Sequence, residues 1–173
     1  MRDTQRSKVY AAERAAFENL PIEKFESVKD VERFLKYIWK LKRVQNEWFS
    51  SVVGVNPPRV GDGRGCRRAL ACGAWEIKLP KWARQDWVAV HELAHIIHHR
   101  SGNWRKTEAA HGWQFCAIYL KLVLYVLGRE KHDALKAAFK AHKVRFTEPR
   151  KRNLTDEQRQ ALADRLAAYR KAA

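Results

Sequence analysis

The sequence predicts an α+β fold in which helices pack on a small, mostly antiparallel sheet. Three observations predict it. Apolar residues recur at helical spacing through most of the chain, short alternating or β-branched runs are confined to its middle, and the stretch Trp87 to His99 embeds His91-Glu92-x-x-His95 in an apolar run that reads as helix and is followed by a second, nearly all-apolar helix. With 173 residues the chain is long enough for one domain with a real core and too short for two.

Taken in order, residues 3 to 19 read as helix, with Val9, Ala12, Ala16 and Phe17 near one face and Asn19 before Leu20-Pro21 ending the run. Ser27 opens a second helix to about Lys42. Asp30 completes a capping box, and Val31, Phe34, Leu35, Ile38 and Trp39 follow helical spacing. Trp48 to Val53 is short and β-branched, which predicts a strand. The Gly- and Pro-rich stretch Gly54 to Gly65 reads as a loop with a tight turn at Asp62-Gly63. Cys66 to Cys72 and Ala74 to Leu79 read as two strands meeting near Gly73. In the second, Trp75, Ile77 and Leu79 alternate with Glu76 and Lys78, and its edge is placed to hold an extended peptide beside the following helix. Asp86 is the expected N-cap of that helix, which Ser101-Gly102-Asn103 stops. The next helix is expected over about Thr107 to Leu127, so apolar in its later part that it should be central and buried. Gly128 ends it, and Lys131 to His142 follows with Leu135, Ala138 and Phe139 facing in. A basic linker and a C-terminal amphipathic helix complete the chain. Thr155 and Gln158 cap that helix, and Leu162, Leu166 and Tyr169 line one side of it.

The chemistry concentrates in the His-Glu helix. Positions four apart on a helix are rotated by about 40° and separated by about 6 Å, so His91 and His95 can aim two imidazole nitrogens at one ion. Glu92, one step round, can hold a water without ligating. A buried helix whose two histidines merely share a face is the bland alternative, but it leaves Glu92 among Val90, Leu93, Ala94 and Ile96 without a partner, which is costly. A catalytic zinc takes three protein ligands and keeps an open position. His111, separated from His95 by fifteen residues and near the start of the next helix, is the foremost candidate; Glu108 and Glu130 compete, Glu108 being the more credible. His98 and His99 are too close in sequence to close such a site, and the His-x-x-Gly-x-x-His extension is absent, because Ser101 stands where that pattern continues.

His91-Glu-Leu-Ala-His95 followed by His111-Gly-Trp-Gln-Phe115 resembles the SprT-like zinc metalloproteases, a zincin superfamily, over about residues 28 to 127. The opening Arg2-Asp3-x-Gln5-Arg6-x-x-Val9-Tyr10-x-Ala12-Glu13 is similar to that of a metallohydrolase family of actinobacteria and their phages, a likeness extending over residues 1 to 145. The resemblance implies a zincin-like fold, Zn2+ held by His91, His95 and His111, and Glu92 as catalytic base. It also implies proteolysis of DNA-bound or DNA-crosslinked proteins. It divides the chain into a metallohydrolase domain, 1–145, and the basic linker with the C-terminal helix, 146–173. Cys66 and Cys72 lack a second pair and do not read as the zinc ribbon that many SprT-like proteins carry.

The net charge of +16, spread along the whole chain, is an attraction for a polyanion, most simply nucleic acid. No apolar stretch is long enough for a membrane span, the charged start has no signal-peptide h-region, and three cysteines fit free thiols in the cytoplasm. The expectation is a cytoplasmic zinc endopeptidase with a protein or peptide substrate, working near nucleic acid. The alternative is a basic nucleic-acid-binding or partner-binding protein whose zinc is structural or vestigial.

Overall fold

The computed structural model describes residues 3–49, 56–101 and 109–148, and in the tail 155–157, 159–161 and 163–165. Its elements run α1 (Arg6–Phe17), α2 (Val28–Lys40), a short α3 (Lys42–Val44) that widens into a π-helical turn (Gln45–Phe49), β1 (Arg59–Asp62), β2 (Leu70–Cys72), β3 (Glu76–Leu79), a 3-10 turn (Lys81–Ala83), α4 (Asp86–Arg100), α5 (Trp113–Val126) and α6 (Arg129–Ala141). The fold is α+β, and among the described residues no helix is long and apolar enough to cross a membrane.

The sheet is mixed rather than mostly antiparallel. Its order is β1-β3-β2, with β1 parallel and β2 antiparallel to β3. The strand β1 lies inside the stretch expected to be loop, because its glycines and flanking prolines mask a backbone that pairs with β3, a segment distant in sequence. Gly63 then allows the chain to pass close under β3: a Cβ there would meet the Pro80 nitrogen at 2.5 Å. Gly73, at φ +60, turns β2 into β3 in the left-handed region that glycine favours. The strand expected at Trp48 is instead the π-helical turn, where Trp48 packs against Tyr125 of α5; residues 50–53 of that expectation lie outside the described residues. Because β3 is the central strand, it has no free edge for a peptide. The outer edges belong to β1 and β2.

The helix α2 begins as its sequence dictates. Ser27 Oγ accepts from the Asp30 amide at 3.2 Å and the Asp30 carboxylate accepts from the Ser27 amide at 3.0 Å. The helix α4 is capped by Gln85 rather than Asp86. Asp86, as first helical residue, accepts from the Trp87 amide at 2.7 Å and pairs with Lys131 of α6 at 2.5 Å. It is α4, not α5, that is buried on nearly every side. It packs on β2 and β3, on α2 and on α5, which in turn packs on α6, and α6 on α1. Two arginines fix its ends. The Arg84 side chain binds the Leu79 and Glu26 carbonyls and Asp62. Arg100 donates to the Ala74 and Asn56 carbonyls between the rings of Trp39 and Trp75.

Beyond α6, Val144 is buried and Phe146 stacks near Phe139, so the start of the expected basic linker lies on the core. Residues 156–157, 159–161 and 163–165 are helical and exposed. Gln158, Leu162, Leu166 and Tyr169, on which the expected cap and apolar face depend, lie outside the described residues. Replacing Ser27 by Ala removes the reciprocal cap and is expected to lower stability by about 1 kcal/mol. The measurement is a lower urea midpoint at unchanged m-value; an unmoved midpoint would show that the cap contributes nothing.

Candidate metal centre

His91 and His95 lie one turn apart on α4, and their Nε2 atoms stand 3.2 Å apart. His111 Nε2 is 3.4 Å from His91 Nε2, and the three potential ligand atoms all fall within 4.8 Å of one another, close enough to bind one metal ion. His111 is not on the following helix as expected. It sits in the turn before it, because α5 starts at Trp113 with Gly112 as N-cap. The Gly112 amide donates to the Ala109 carbonyl at 2.9 Å, and this turn carries the imidazole across to α4. Phe115, in the first turn of α5, touches all three rings and stacks on His95 at 4.1 Å between centroids. Of the competing ligands, Glu130 is exposed on α6 and Glu108 lies outside the described residues.

Two of the imidazoles are oriented from behind by carboxylates of the N-terminal segment. Glu13 Oε1 is 2.5 Å from His91 Nδ1, and Asp3 Oδ2 is 2.6 Å from His111 Nδ1. With the carboxylates accepting, Nδ1 carries the proton and the Nε2 lone pair is left to the site, the arrangement that metal-binding histidines use. Gln5 ties the same segment down, donating to the His111 carbonyl at 3.0 Å and accepting from the Arg145 amide at 2.5 Å. Asp3, Gln5, Arg6, Tyr10 and Glu13 belong to the opening motif Arg2 to Glu13, in which the sequence alone assigns none of them a role. The available signal was their placement: Arg6, Tyr10 and Glu13 fall within about 60° of one another on a helix, with Asp3 just upstream.

Burial pulls His91 down, but the charge and hydrogen bond of Glu13, with Glu92 beyond, outweigh it and hold the ring above its ordinary value. His95 is held well below by burial and by the neighbouring rings of His91 and His111. Burial and His91 also lower His111, against the pull of Asp3. Glu92 is 6% exposed, and burial raises its carboxyl, opposed by His91 and by the Ala71 amide of β2, which donates to it.

Glu92, His95 and His111 open onto a cleft of about 600 Å³, whose wall is the segment Cys66 to Ala71 and whose rim includes Arg6, Arg67 and Arg68. A second, more apolar cavity of about 410 Å³ lies beside it, lined by Ala69, Trp82, Trp87 and Val88, and Tyr10 and Glu92 border both. No family model, curated protein or solved structure matches the chain.

Glu13→Gln and Asp3→Asn remove one charge each and keep the shape. Each is expected to weaken metal binding by about 10- to 100-fold, measured by competition with a chromophoric chelator. Wild-type affinity in both variants would show that the carboxylates do not tune the site.

Proposed function

We propose that the chain is a zinc-dependent hydrolase, an endopeptidase of the SprT-like kind, with His91, His95 and His111 as ligands and Glu92 as base. The observation that carries the reading is the convergence of three imidazole nitrogens beside a buried carboxylate on the floor of an open cleft. Two nitrogens each about 2.0–2.1 Å from a tetrahedral zinc stand about 3.3 Å apart, and the two Nε2 separations to His91 are 3.2 and 3.4 Å. Structural zinc sites are closed by four protein ligands, whereas catalytic ones keep a position open. Among the described residues the cluster contains three ligands and faces the cleft, which favours catalysis over a structural or vestigial zinc. The two motifs shared with SprT-like proteases support the same reading, and the basic rim and net charge of +16 support work near nucleic acid.

Zinc bound there supplies a Lewis acid and lowers the pKa of a water toward about 7. The chain's own part falls first to Glu92, which takes a proton from the attacking water as the water oxygen bonds to the scissile carbonyl carbon. The π electrons of the carbonyl move to its oxygen. Glu92 then returns the proton to the amide nitrogen, the C–N bond breaks, and the amine leaves. Burial raises Glu92 and so suits it to hold that proton in passing, while the Ala71 amide keeps the carboxylate aimed. A substrate chain would lie along the free edge of β2, which walls the cleft, by strand addition. The apolar cavity beside it would seat a neighbouring side chain.

Glu92→Gln is expected to lower the hydrolysis of an unfolded protein by about 10²- to 10⁴-fold while the variant retains one zinc per chain by elemental analysis. Full cleavage by that variant would rule out the assigned base.

A further inference from the structure

The hydrolysis proposed above leaves negative charge on the carbonyl oxygen, and Glu92, itself acidic, cannot stabilise it. The Ala71 amide on the cleft wall is already used by Glu92. Arg67, Arg68, His98 and His99 also line the cleft, but Arg6 and Tyr10 are the two lining side chains of the N-terminal helix, which already aims Glu13 at a ligand. On the face that aims Glu13 at His91, with Asp3 upstream on His111, Arg6 and Tyr10 stand between the two carboxylates. The Tyr10 ring lies 5.8 Å from the His91 ring and meets the His111 ring edge-on at 5.3 Å. Tyr10 borders both cavities where they meet at Glu92, and Arg6 borders the larger. Among the described residues Arg6 makes no carboxylate ion pair; its guanidinium stands 5.8 Å from the Tyr10 ring centroid.

We propose that Arg6 and Tyr10 form the oxyanion-binding pair of this site, Tyr10 donating its hydroxyl to the oxygen that gains charge and Arg6 supplying the neighbouring positive charge. The pair's catalytic consequence rests on the hydrolase reading, but its affinity for an oxyanion does not. The arrangement has the chemistry that such pairs require. A neutral donor and a fixed cation border a cleft whose floor is buried, where a preorganised donor acts more strongly than it would in water. It also gives the N-terminal segment a complete role, with Asp3 and Glu13 orienting the ligands and Arg6 and Tyr10 receiving the charge.

The test uses the full chain loaded with cobalt, titrated with inorganic phosphate and followed by visible absorption, beside kcat and KM for peptide hydrolysis by the zinc form. Tyr10→Phe is expected to weaken phosphate about tenfold and to lower kcat about 10²-fold, with KM nearly unchanged. Arg6→Met is expected to weaken phosphate comparably, and Arg6→Lys to recover part of the loss. Wild-type phosphate affinity in both Tyr10→Phe and Arg6→Met, or loss of the metal by Tyr10→Phe, overturns the pair. Should phosphate binding depend on both residues while the wild type hydrolyses no peptide, the pair stands and the hydrolase reading falls. Hydrolysis by wild type with kcat undiminished in Tyr10→Phe leaves the hydrolase reading and removes the pair.

Discussion

The contact between Glu13 and His91 is the constraint on which the rest of the structure depends. Both groups are buried, Glu13 at 2% and His91 at 3% exposure. A carboxylate removed from water without a partner is costly, and an imidazole whose Nδ1 lacks an acceptor is free to turn. Each group therefore fixes the other, and the backbone must bring Glu13 of α1 to His91 of α4 for the two to meet. The remaining face of α1 carries Val9, Ala12, Ala16 and Phe17 into the core, where α1 lies against α6 and the Phe17 ring meets Trp87 of α4 at 5.3 Å. Asp3 on His111 and Gln5 on the His111 carbonyl repeat the tie at the other end. The N-terminal segment is thus packed as scaffold and aimed as part of the site by the same contacts.

Holding so polar a cluster in the middle of the fold requires rigid supports, and α4 has them at both ends. Arg84 binds two carbonyls and Asp62 where β3 gives way to the helix, and Arg100 is held between two tryptophan rings while it donates to two carbonyls. These arginines donate to the carbonyls of Leu79, Glu26, Ala74 and Asn56 and so tie both ends of α4 to the segments around it. Phe115 supplies the matching lateral support, since one ring touches all three histidines. A small displacement of α4 relative to the turn before α5 would separate the His91 and His111 Nε2 atoms, which now stand 3.4 Å apart.

Much of this was legible in the sequence where the information is local. The Ser27–Asp30 cap, the amphipathic faces of α1, α2 and α6, and the four-residue spacing of His91 and His95 each depend on neighbours a few positions away. What was hidden depends on distant partners. The strand β1 is a strand because β3 pairs with it, although its Gly61 and the nearby prolines argue for loop. The apolar run at Trp48 has strand composition, yet Trp48 finds its contact on α5 from a π-helical turn. His111 was identifiable as a candidate, but its position ahead of α5 depends on the turn that Gly112 closes. The peptide-accepting edge was assigned to β3, since alternation along a strand reveals which face is buried and not which neighbours flank it. Asp3 and Glu13 were invisible as partners because nothing in their spacing names histidines 108 and 78 residues away.

Two buried glutamates lie close to His91, and their surroundings separate their roles. Glu13 meets the Nδ1 side of the ring, where it accepts the ring proton, and of the two cavities it borders the apolar one. Glu92 follows His91 in the chain, borders both cavities and is held by an amide of the cleft wall. A carboxylate that must exchange protons with a substrate needs access to it, and a carboxylate that must keep an imidazole in one tautomer needs the opposite. In the proposed hydrolysis Glu92 therefore moves the proton and Glu13 holds one still. The division follows from where each carboxylate lies: α1 brings Glu13 to the back of the His91 ring, and α4 carries Glu92 to the cleft.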